Sequence, residues 1–160
     1  MPQATYLFSW SPKKWPITEF ERELAELNAG KRTTIDWGCS SYKAIRPGDR
    51  AFFITTGNEL PRGLFGSGYI TDKPPFLEKH WDGSGRYKRM IEIAPDIILL
   101  PEKGNADSVL SLNLLNMGRF TRQNWAPQSA GISIRPELVD ELEALWADYL
   151  GEYGEVAFKR

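Results

Sequence analysis

Four tryptophans of this sequence stand beside small polar residues, an arrangement suited to binding a flat ligand. They are Trp10, Trp37, Trp81 and Trp125, and each falls in a predicted loop or at a predicted strand end. Serine, glycine, cysteine and glutamine residues flank them. Indole rings offer flat apolar surface, while neighbouring hydroxyl, amide and backbone groups can read the polar edges of a ligand. If these loops meet at one end of a sheet, the sequence predicts an aromatic slot for a planar ligand.

The single cysteine and the single histidine, Cys39 and His80, are the residues that could make a nucleophile and its base. A cysteine hydrolase also needs orienting and oxyanion groups, and a lone cysteine is more often a small buried residue. A small enzyme that uses this pair on a nucleobase-like or amide substrate is therefore an alternative to a binding module.

Motifs for metal, phosphate and dinucleotide chemistry are missing from the sequence. One cysteine and one histidine exclude a zinc site built on several such ligands. No Asp or Glu is followed two positions later by Lys, so the carboxylate-x-lysine element of many metal-dependent nucleases is absent. The glycine pairs at residues 66–68 and 83–85 lack the third glycine of a dinucleotide fingerprint, and Gly30-Lys31 lacks the rest of a P-loop. We expect no metal, no cofactor and no self-contained catalysis.

The elements that must position these residues begin with apolar runs, which predict strands. Residues 6–10 are β-rich, and residues 50–55 are too apolar for a half-exposed strand, so we expect the latter at the centre of a sheet. The alternating glycines of residues 63–70 predict a strand that another backbone or a ligand approaches closely. Further predictions are strands at residues 86–93 and 131–134, a long loop at residues 72–85 and a loop at residues 123–130.

Helices are predicted near both ends of the chain. Thr18 and Glu21 form a capping box for a first helix that Gly30 ends, and Trp15 is expected to pack against it. Pro136 opens the last helix. Its apolar stripe is expected to contain Leu138, Leu142, Leu145, Trp146 and Tyr149. A shorter helix is predicted near residues 107–115.

Length and charge favour one globular domain over residues 1–160. A chain of 160 residues can bury about two thirds of its unfolded surface. Net charge is −1, but residues 1–90 contain 14 Lys and Arg against 10 Asp and Glu, whereas residues 91–160 contain 6 against 11. This polarity predicts one face that accepts anions. Since no signal peptide or membrane-spanning run is recognisable, we expect a cytoplasmic protein without a membrane partner. The fold class expected is α+β: a curved, mostly antiparallel sheet or partly open barrel of five or six strands with flanking helices.

Several segments, in order and spacing, resemble the EVE domain of the PUA-like superfamily and more distantly the YTH domain. The resemblance covers about residues 5–150 and is nearest to the EVE-like module at the N-terminus of some HNH restriction endonucleases that attack modified DNA. The segments are YLFSWSP at 6–12, WGCS at 37–40, RPGDRAFF at 46–53, PRGLFGSG at 61–68, HWD at 80–82, RY at 86–87 and QSAGISI at 128–134.

The resemblance implies a reader of modified bases, since domains of this family bind methylated or hydroxymethylated bases in an aromatic cage. Trp37 and Trp81 resemble the two walls of that cage, and Trp10 belongs to the same set. The polar floor implied is Cys39, Ser40, Ser9 and Ser11, with Gln128 and Ser129 at the rim. The expected ligand is 5-methyl- or 5-hydroxymethylcytosine in double-stranded DNA, flipped out of the helix, and any cleavage would need a separate nuclease domain or partner.

Basic residues would hold the nucleic-acid backbone, and three alternatives remain open. The basic candidates are Lys13, Lys14, Lys43, Arg62, Arg119 and Arg122. The nearest alternative is a reader of modified RNA bases. The others are the enzyme that uses Cys39 with His80, and an adaptor whose exposed aromatic residues bind a protein.

Overall fold

One curled sheet organises the chain, whose computed structural model describes residues 3–79 and 83–158. The strands are β1 Thr5–Trp10, β2 Ile35–Gly38, β3 Arg50–Thr55, β4 Gly63–Ile70, β5 Phe76–Lys79, β6 Tyr87–Ile98, β7 Leu110–Ser111 and β8 Ile132–Ser133. The helices are α1 Thr18–Asn28, α2 Leu112–Leu115 and α3 Pro136–Phe158. The sheet has the order β2-β6-β4-β3-β1-β8, with β5 paired to β6 and β7 paired to β4. The fold is mixed α+β with a strongly curled half-barrel sheet, which confirms the predicted fold class.

The centre of the sheet is formed by β1 and β3, which lie side by side and parallel. Every residue of both strands is buried, because neighbouring elements cover both faces of the sheet here. Continuous apolar runs are typical of such strands. The prediction of a central strand at residues 50–55 is confirmed, and so is that of the opening strand.

The curl of the sheet coincides with irregular pairing along β4. Its register shifts between Phe53 and Ile54 on the β3 side and between Ser67 and Gly68 on the β6 side. Such bulges bend a strand and increase its twist. A Cβ atom on Gly66 would lie 2.4 Å from the Phe53 ring and 2.8 Å from the carbonyl oxygen of Ile97. The predicted close approach to this glycine-rich strand is therefore confirmed, and the approaching groups belong to the protein itself.

Three predictions about loops, short helices and strand number are wrong. The expected loop at residues 72–85 contains β5, which forms a hairpin with β6. Residues 107–115 form part of a 3₁₀ turn, β7 and the one-turn helix α2 instead of one helix. The described residues form eight strands where five or six were expected, because the additional strands have only two to four residues and carry little hydrophobic periodicity of their own.

The long helices begin where they were predicted, although the first lacks its predicted cap. α1 starts at Thr18 after Ile17, and no side chain caps it, so the predicted capping box is wrong. Gly30, with φ of 75°, follows its end. α3 begins at Pro136, and its buried residues include Leu142 and Trp146, as its apolar stripe predicted.

Candidate ligand-binding cavity

A cavity of about 870 Å³ opens between α1, β2, β6 and two loops. This volume lies within the range of small-molecule and cofactor sites. The loops are residues 13–15, which lead into α1, and residues 128–130, which precede β8. Segments from widely separated parts of the chain therefore form its wall.

Seven of the residues predicted to bind a nucleic acid line this cavity. Five belong to the predicted base site and two to the predicted backbone contacts: Trp37, Cys39, Ser40, Gln128, Ser129, Lys13 and Lys14. Ser40, Gln128 and Ser129 are exposed. The cavity thus brings together polar side chains that are up to 116 positions apart in the sequence, from Lys13 to Ser129.

Three other predicted base-site residues do not line the cavity. Trp10 and Ser9 have no exposed surface, and Ser11 is half-buried beside Gly57. Trp10 donates its indole N–H to the carbonyl of Trp15 at 3.1 Å. Packing therefore accounts for the position of Trp10 in the free protein, in place of the predicted slot.

Trp37 lies beneath the cavity surface and is only 1% exposed. Its indole N–H donates to the carbonyl of Ser9 at 3.2 Å, which fixes the orientation of the ring. Four rings have centroids 4.8–5.8 Å from that of Trp37: Phe53, Trp15, Phe8 and Phe20. In the free protein, a base could stack on Trp37 only if a neighbouring ring moved.

The second predicted wall, Trp81, lies outside the described residues, as does His80. The sandwich of a base between Trp37 and Trp81 therefore stays a prediction. Trp125, the fourth tryptophan of the predicted slot, is 3% exposed and donates to the carbonyl of Phe120 at 2.8 Å. Its burial gives it a packing role away from the cavity.

Trp15 is the cavity tryptophan that sequence reasoning assigned to packing alone. It is half-buried and lines the cavity, with its ring edge-on to Trp37 at a centroid distance of 5.1 Å. Only its position before Pro16, outside the helical stripe of α1, could have suggested a surface role. Among the described aromatic residues of the cavity, Trp15 and Tyr42 are partly exposed, and Trp15 has the larger ring.

The polar floor of the cavity is held by contacts between two loops. Ser40 donates both its backbone N–H and its hydroxyl to the carbonyl of Ala130, at 2.9 and 3.0 Å. Gly131, with φ of 84°, passes so close that a Cβ atom there would lie 2.5 Å from the Cys39 sulfur. The end of β2 and the loop before β8 are therefore in close contact, and two hydrogen bonds fix the position of Ser40 at the cavity.

Cys39 is a buried thiol and not an activated nucleophile. Burial raises the pKa of the Cys39 thiol to about 11, against a smaller opposing effect of a hydrogen bond from the backbone of Ser41. Since the thiolate is the reactive form, the environment opposes nucleophilic chemistry near neutral pH. The environment of this thiol therefore disfavours the enzyme alternative, which requires Cys39 as its nucleophile.

Charged groups of both signs surround the cavity. Lys14 is half-buried, and its pKa is lowered by burial and then by the neighbouring positive charge of Lys88. Burial likewise raises the pKa values of Glu23 and Asp36. The Glu23 Oε2 atom is buried and has no hydrogen-bond partner among the described residues. The cavity is therefore polar, and at least one of its buried polar atoms has no hydrogen-bond partner among the described residues.

The other predicted backbone contacts do not line the cavity. The Arg119 guanidinium pairs with Glu141 and donates to the carbonyl of Glu137, so α3 already engages it. Lys43 and Arg122 are exposed, and Arg62 is half-buried. None of these four residues belongs to the basic lining of the cavity, which consists of Lys13, Lys14, Arg22, Lys88 and Arg89.

The described residues contain neither a metal-binding cluster nor a membrane-spanning helix. No group of three or more His, Cys, Asp or Glu in residues 3–79 and 83–158 could hold a metal ion. No described helix is both long and apolar enough to cross a membrane.

Comparisons with known proteins show the fold. No family model and no curated protein matches the sequence. The structure is similar to that of a hypothetical protein from Leishmania major, with a TM-score of 0.60 and 15% identity over 92% of this chain and 97% of that chain. It is also similar to human THYN1 protein in complex with 5-methylcytosine containing DNA, with a TM-score of 0.54 and 16% identity over 89% of this chain and 97% of that chain. The chain therefore has the curled α+β fold of PUA-like and EVE domains.

Proposed function

We propose that this chain is a non-catalytic DNA-binding module of the EVE type that recognises a modified base, most simply 5-methyl- or 5-hydroxymethylcytosine, flipped out of the duplex. One observation carries the proposal: Trp37, Cys39, Ser40, Gln128 and Ser129 come from two distant segments and line the same cavity. Support for the partner comes from the similarly folded human THYN1, whose structure contains 5-methylcytosine DNA.

The cavity suits a base taken out of the helix. Flipping a base costs a few kcal/mol, and a pocket must offset that cost with contacts that the duplex does not provide. Stacking on an aromatic side chain contributes about 1–3 kcal/mol per base. In the free protein Trp15 supplies accessible ring surface, while the faces of Trp37 are covered. We therefore propose that Trp15 provides or uncovers the stacking surface, with Trp37 beneath it and Trp81 as the expected opposite wall.

Selectivity for the modification would rest on small groups at the floor and rim. One added methyl group in an apolar pocket changes affinity by about 1–3 kcal/mol, so a modest preference for 5-methylcytosine over cytosine is expected. A hydroxymethyl group needs a hydrogen-bond partner when it is buried. Ser40 and Gln128 are the proposed partners, because both carry polar groups at the cavity wall.

The module would act on the backbone through its basic residues and leave any chemistry to other polypeptides. Lys13 and Lys14 lie at the cavity and are the nearest candidates for phosphate contact. Lys43, Arg62, Arg119 and Arg122 are proposed as peripheral contacts. Cleavage of modified DNA would require a separate nuclease domain or partner, and the whole of residues 1–160 is proposed to form one domain.

Direct binding measurements test this function. Fluorescence anisotropy should compare matched duplexes that contain cytosine, 5-methylcytosine or 5-hydroxymethylcytosine, at about 50 and 200 mM salt. We expect tighter binding to a modified duplex and weaker binding at higher salt. Equal affinity for all three duplexes, or affinity that does not change with salt, would contradict the proposal.

Two further arms separate the alternatives. A modified RNA that binds better than every DNA would identify an RNA reader. Gln128→Ala should lower affinity for hydroxymethylated DNA more than for methylated DNA, whereas Asn113→Ala, at an exposed amide of α2 away from the cavity, should change neither. A 2-aminopurine placed beside the modified base should gain fluorescence when the base leaves the stack, and an unchanged signal with bound protein would refute flipping.

A further inference from the structure

Two half-buried lysines face the same cavity from different elements. Lys14 lies on the loop before α1, Lys88 lies on β6, and both line the cavity. Lys88 is near enough for its charge to affect the Lys14 ammonium. Bringing two like charges together in a partly desolvated site is unfavourable. A negatively charged ligand between the two lysines would relieve this repulsion.

The position of Lys14 is fixed by hydrogen bonds. Its Nζ atom donates to the carbonyl oxygen of Ser9 at 3.0 Å and to the Ser9 hydroxyl at 3.1 Å. An ammonium group has three protons, so one donor remains for a ligand. The same carbonyl oxygen of Ser9 also accepts the indole N–H of Trp37. Ser9 therefore fixes the position of the Lys14 ammonium relative to the Trp37 ring beneath the cavity.

The side chain of Lys88 lies next to Gly38, the glycine that ends β2. A Cβ atom on Gly38 would lie 3.4 Å from Cε and 3.7 Å from Nζ of Lys88. These are ordinary contact distances, so the lysine side chain lies beside the end of β2 and lines the cavity wall.

No described carboxylate lies within ion-pair distance of either ammonium group. The nearest acidic residue in the sheet register is Glu78 of β5, which is directly opposite Lys88 but is exposed and forms no ion pair with it within 4.0 Å among the described residues. By contrast, Arg50 and Arg119 have carboxylate partners. The charge of the two cavity lysines is thus available to a ligand.

We propose that Lys14 and Lys88 together hold one phosphate group of the bound nucleic acid. This inference rests on the proposed function and adds a specific anchor for the nucleotide that enters the cavity. A phosphate offers several acceptor oxygens and a negative charge, which suits two separate ammonium donors. This proposal assigns Lys88 to the nucleic-acid interface. It also makes Lys14 a phosphate contact whose position is fixed in the free protein. A negatively charged substituent on the base itself is the competing occupant, and the experiment separates the two.

Nuclear magnetic resonance of the lysine side chains tests the pair without DNA. The Cε and Nζ signals of the wild-type protein should be followed during titration with inorganic phosphate, deoxycytidine 5′-monophosphate and deoxycytidine, at constant ionic strength. We expect Lys14 and Lys88 to respond to both phosphate compounds and not to deoxycytidine, with exposed Lys103 as the internal control. Absence of a response at the pair, or an equal response at Lys103, would overturn the inference whether or not the protein binds modified DNA.

Titration of DNA then connects the pair to the proposed function. Lys88→Gln and Lys14→Gln should each reduce the slope of log affinity against log salt, and the double variant should reduce it by about 0.9 on a duplex, the value for the one phosphate that the pair holds. Lys103→Gln should leave the slope unchanged. The reduction should be equal for modified and unmodified duplexes. If wild-type protein prefers modified DNA but Lys88→Gln retains the full slope, the inference fails and the proposed function stands. If the slope falls only with 5-carboxylcytosine DNA, the pair binds the base substituent and the phosphate assignment is refuted.

Discussion

Replacing Trp15 by leucine should weaken binding of modified DNA, because Trp15 is the partly exposed tryptophan of the cavity. Its centroid lies 5.1 Å from that of Trp37, 5.9 Å from Phe20 and 6.4 Å from Trp10. Each aromatic pair contributes about 0.5–1.5 kcal/mol beyond simple burial. Loss of three pairs therefore removes about 1.5–4.5 kcal/mol of packing, of which leucine restores part.

The effect on binding is separable from this loss of stability. Stacking of one base on an aromatic ring contributes about 1–3 kcal/mol, so Trp15→Leu should lower affinity by about 5- to 150-fold. Trp15→Phe retains a flat ring and should recover much of that loss. The measurement is anisotropy with a 5-methylcytosine duplex, at a temperature where thermal unfolding curves show each variant folded.

Trp125→Leu provides the matched control. This tryptophan is buried, packs against Phe120 and lies away from the cavity. Its replacement should lower the free energy of unfolding by about 2–4 kcal/mol, as for other buried aromatic residues, and leave affinity unchanged. If Trp15→Leu bound as tightly as the wild type, or if both variants lost affinity in proportion to their stability, Trp15 would have no direct role in stacking.

Three further predictions concern the floor and the acidic side of the cavity. Glu23→Gln should raise the melting temperature at pH 7, because burial raises the pKa of Glu23 and so penalises its ionised form in the folded protein. This penalty is absent below the pKa of the unfolded state, about 4.3. The melting temperatures of variant and wild type should therefore converge near pH 4, and a gain that persisted there would contradict the reasoning. Cys39 should react with iodoacetamide about 100-fold more slowly than an unperturbed thiol near neutral pH, since its pKa rises from 9.0 to about 11. In denaturant it should react at the ordinary rate. Fast reaction of the folded protein would favour the enzyme alternative. Gly131→Ala should lower the free energy of unfolding in urea by more than Gly104→Ala. Both glycines have positive φ, which costs about 1–2 kcal/mol for alanine, but of the two only Gly131 would place its Cβ atom in a clash, with Cys39. Equal losses would show that the two loops can move apart at little cost.

Strands with strong local patterns could be predicted from the sequence. The apolar run of β3 identifies a central strand, and the glycines of β4 identify a strand under close approach, because burial on both faces and lack of space leave a direct mark on residue type. β2 and β5 could not be predicted in this way. Each has only four residues, and each is completed by hydrogen bonds to β6.

The membership of the candidate site was predicted in part for the same reason. Polar residues beside tryptophans pointed to Cys39, Ser40, Gln128 and Ser129, which line one cavity. The accessibility of each ring was not predictable: Trp10 lies between two serines but is fully buried, whereas Trp15 lies between Lys14 and Pro16 and is half-buried at the cavity. Lys88 gave no local signal, and its relevance comes from its proximity to Lys14.

The sequence by itself determined the α+β class, the central strands and the starts of the long helices, since these depend on residues that are close together in the chain. Tertiary structure alone decided which side chains surround the cavity. Ser40 is held by Ala130 and Trp37 by Ser9, over separations of 90 and 28 positions. Burial and hydrogen bonding at such separations depend on how the sheet curls and closes, and no local pattern of residues specifies that geometry.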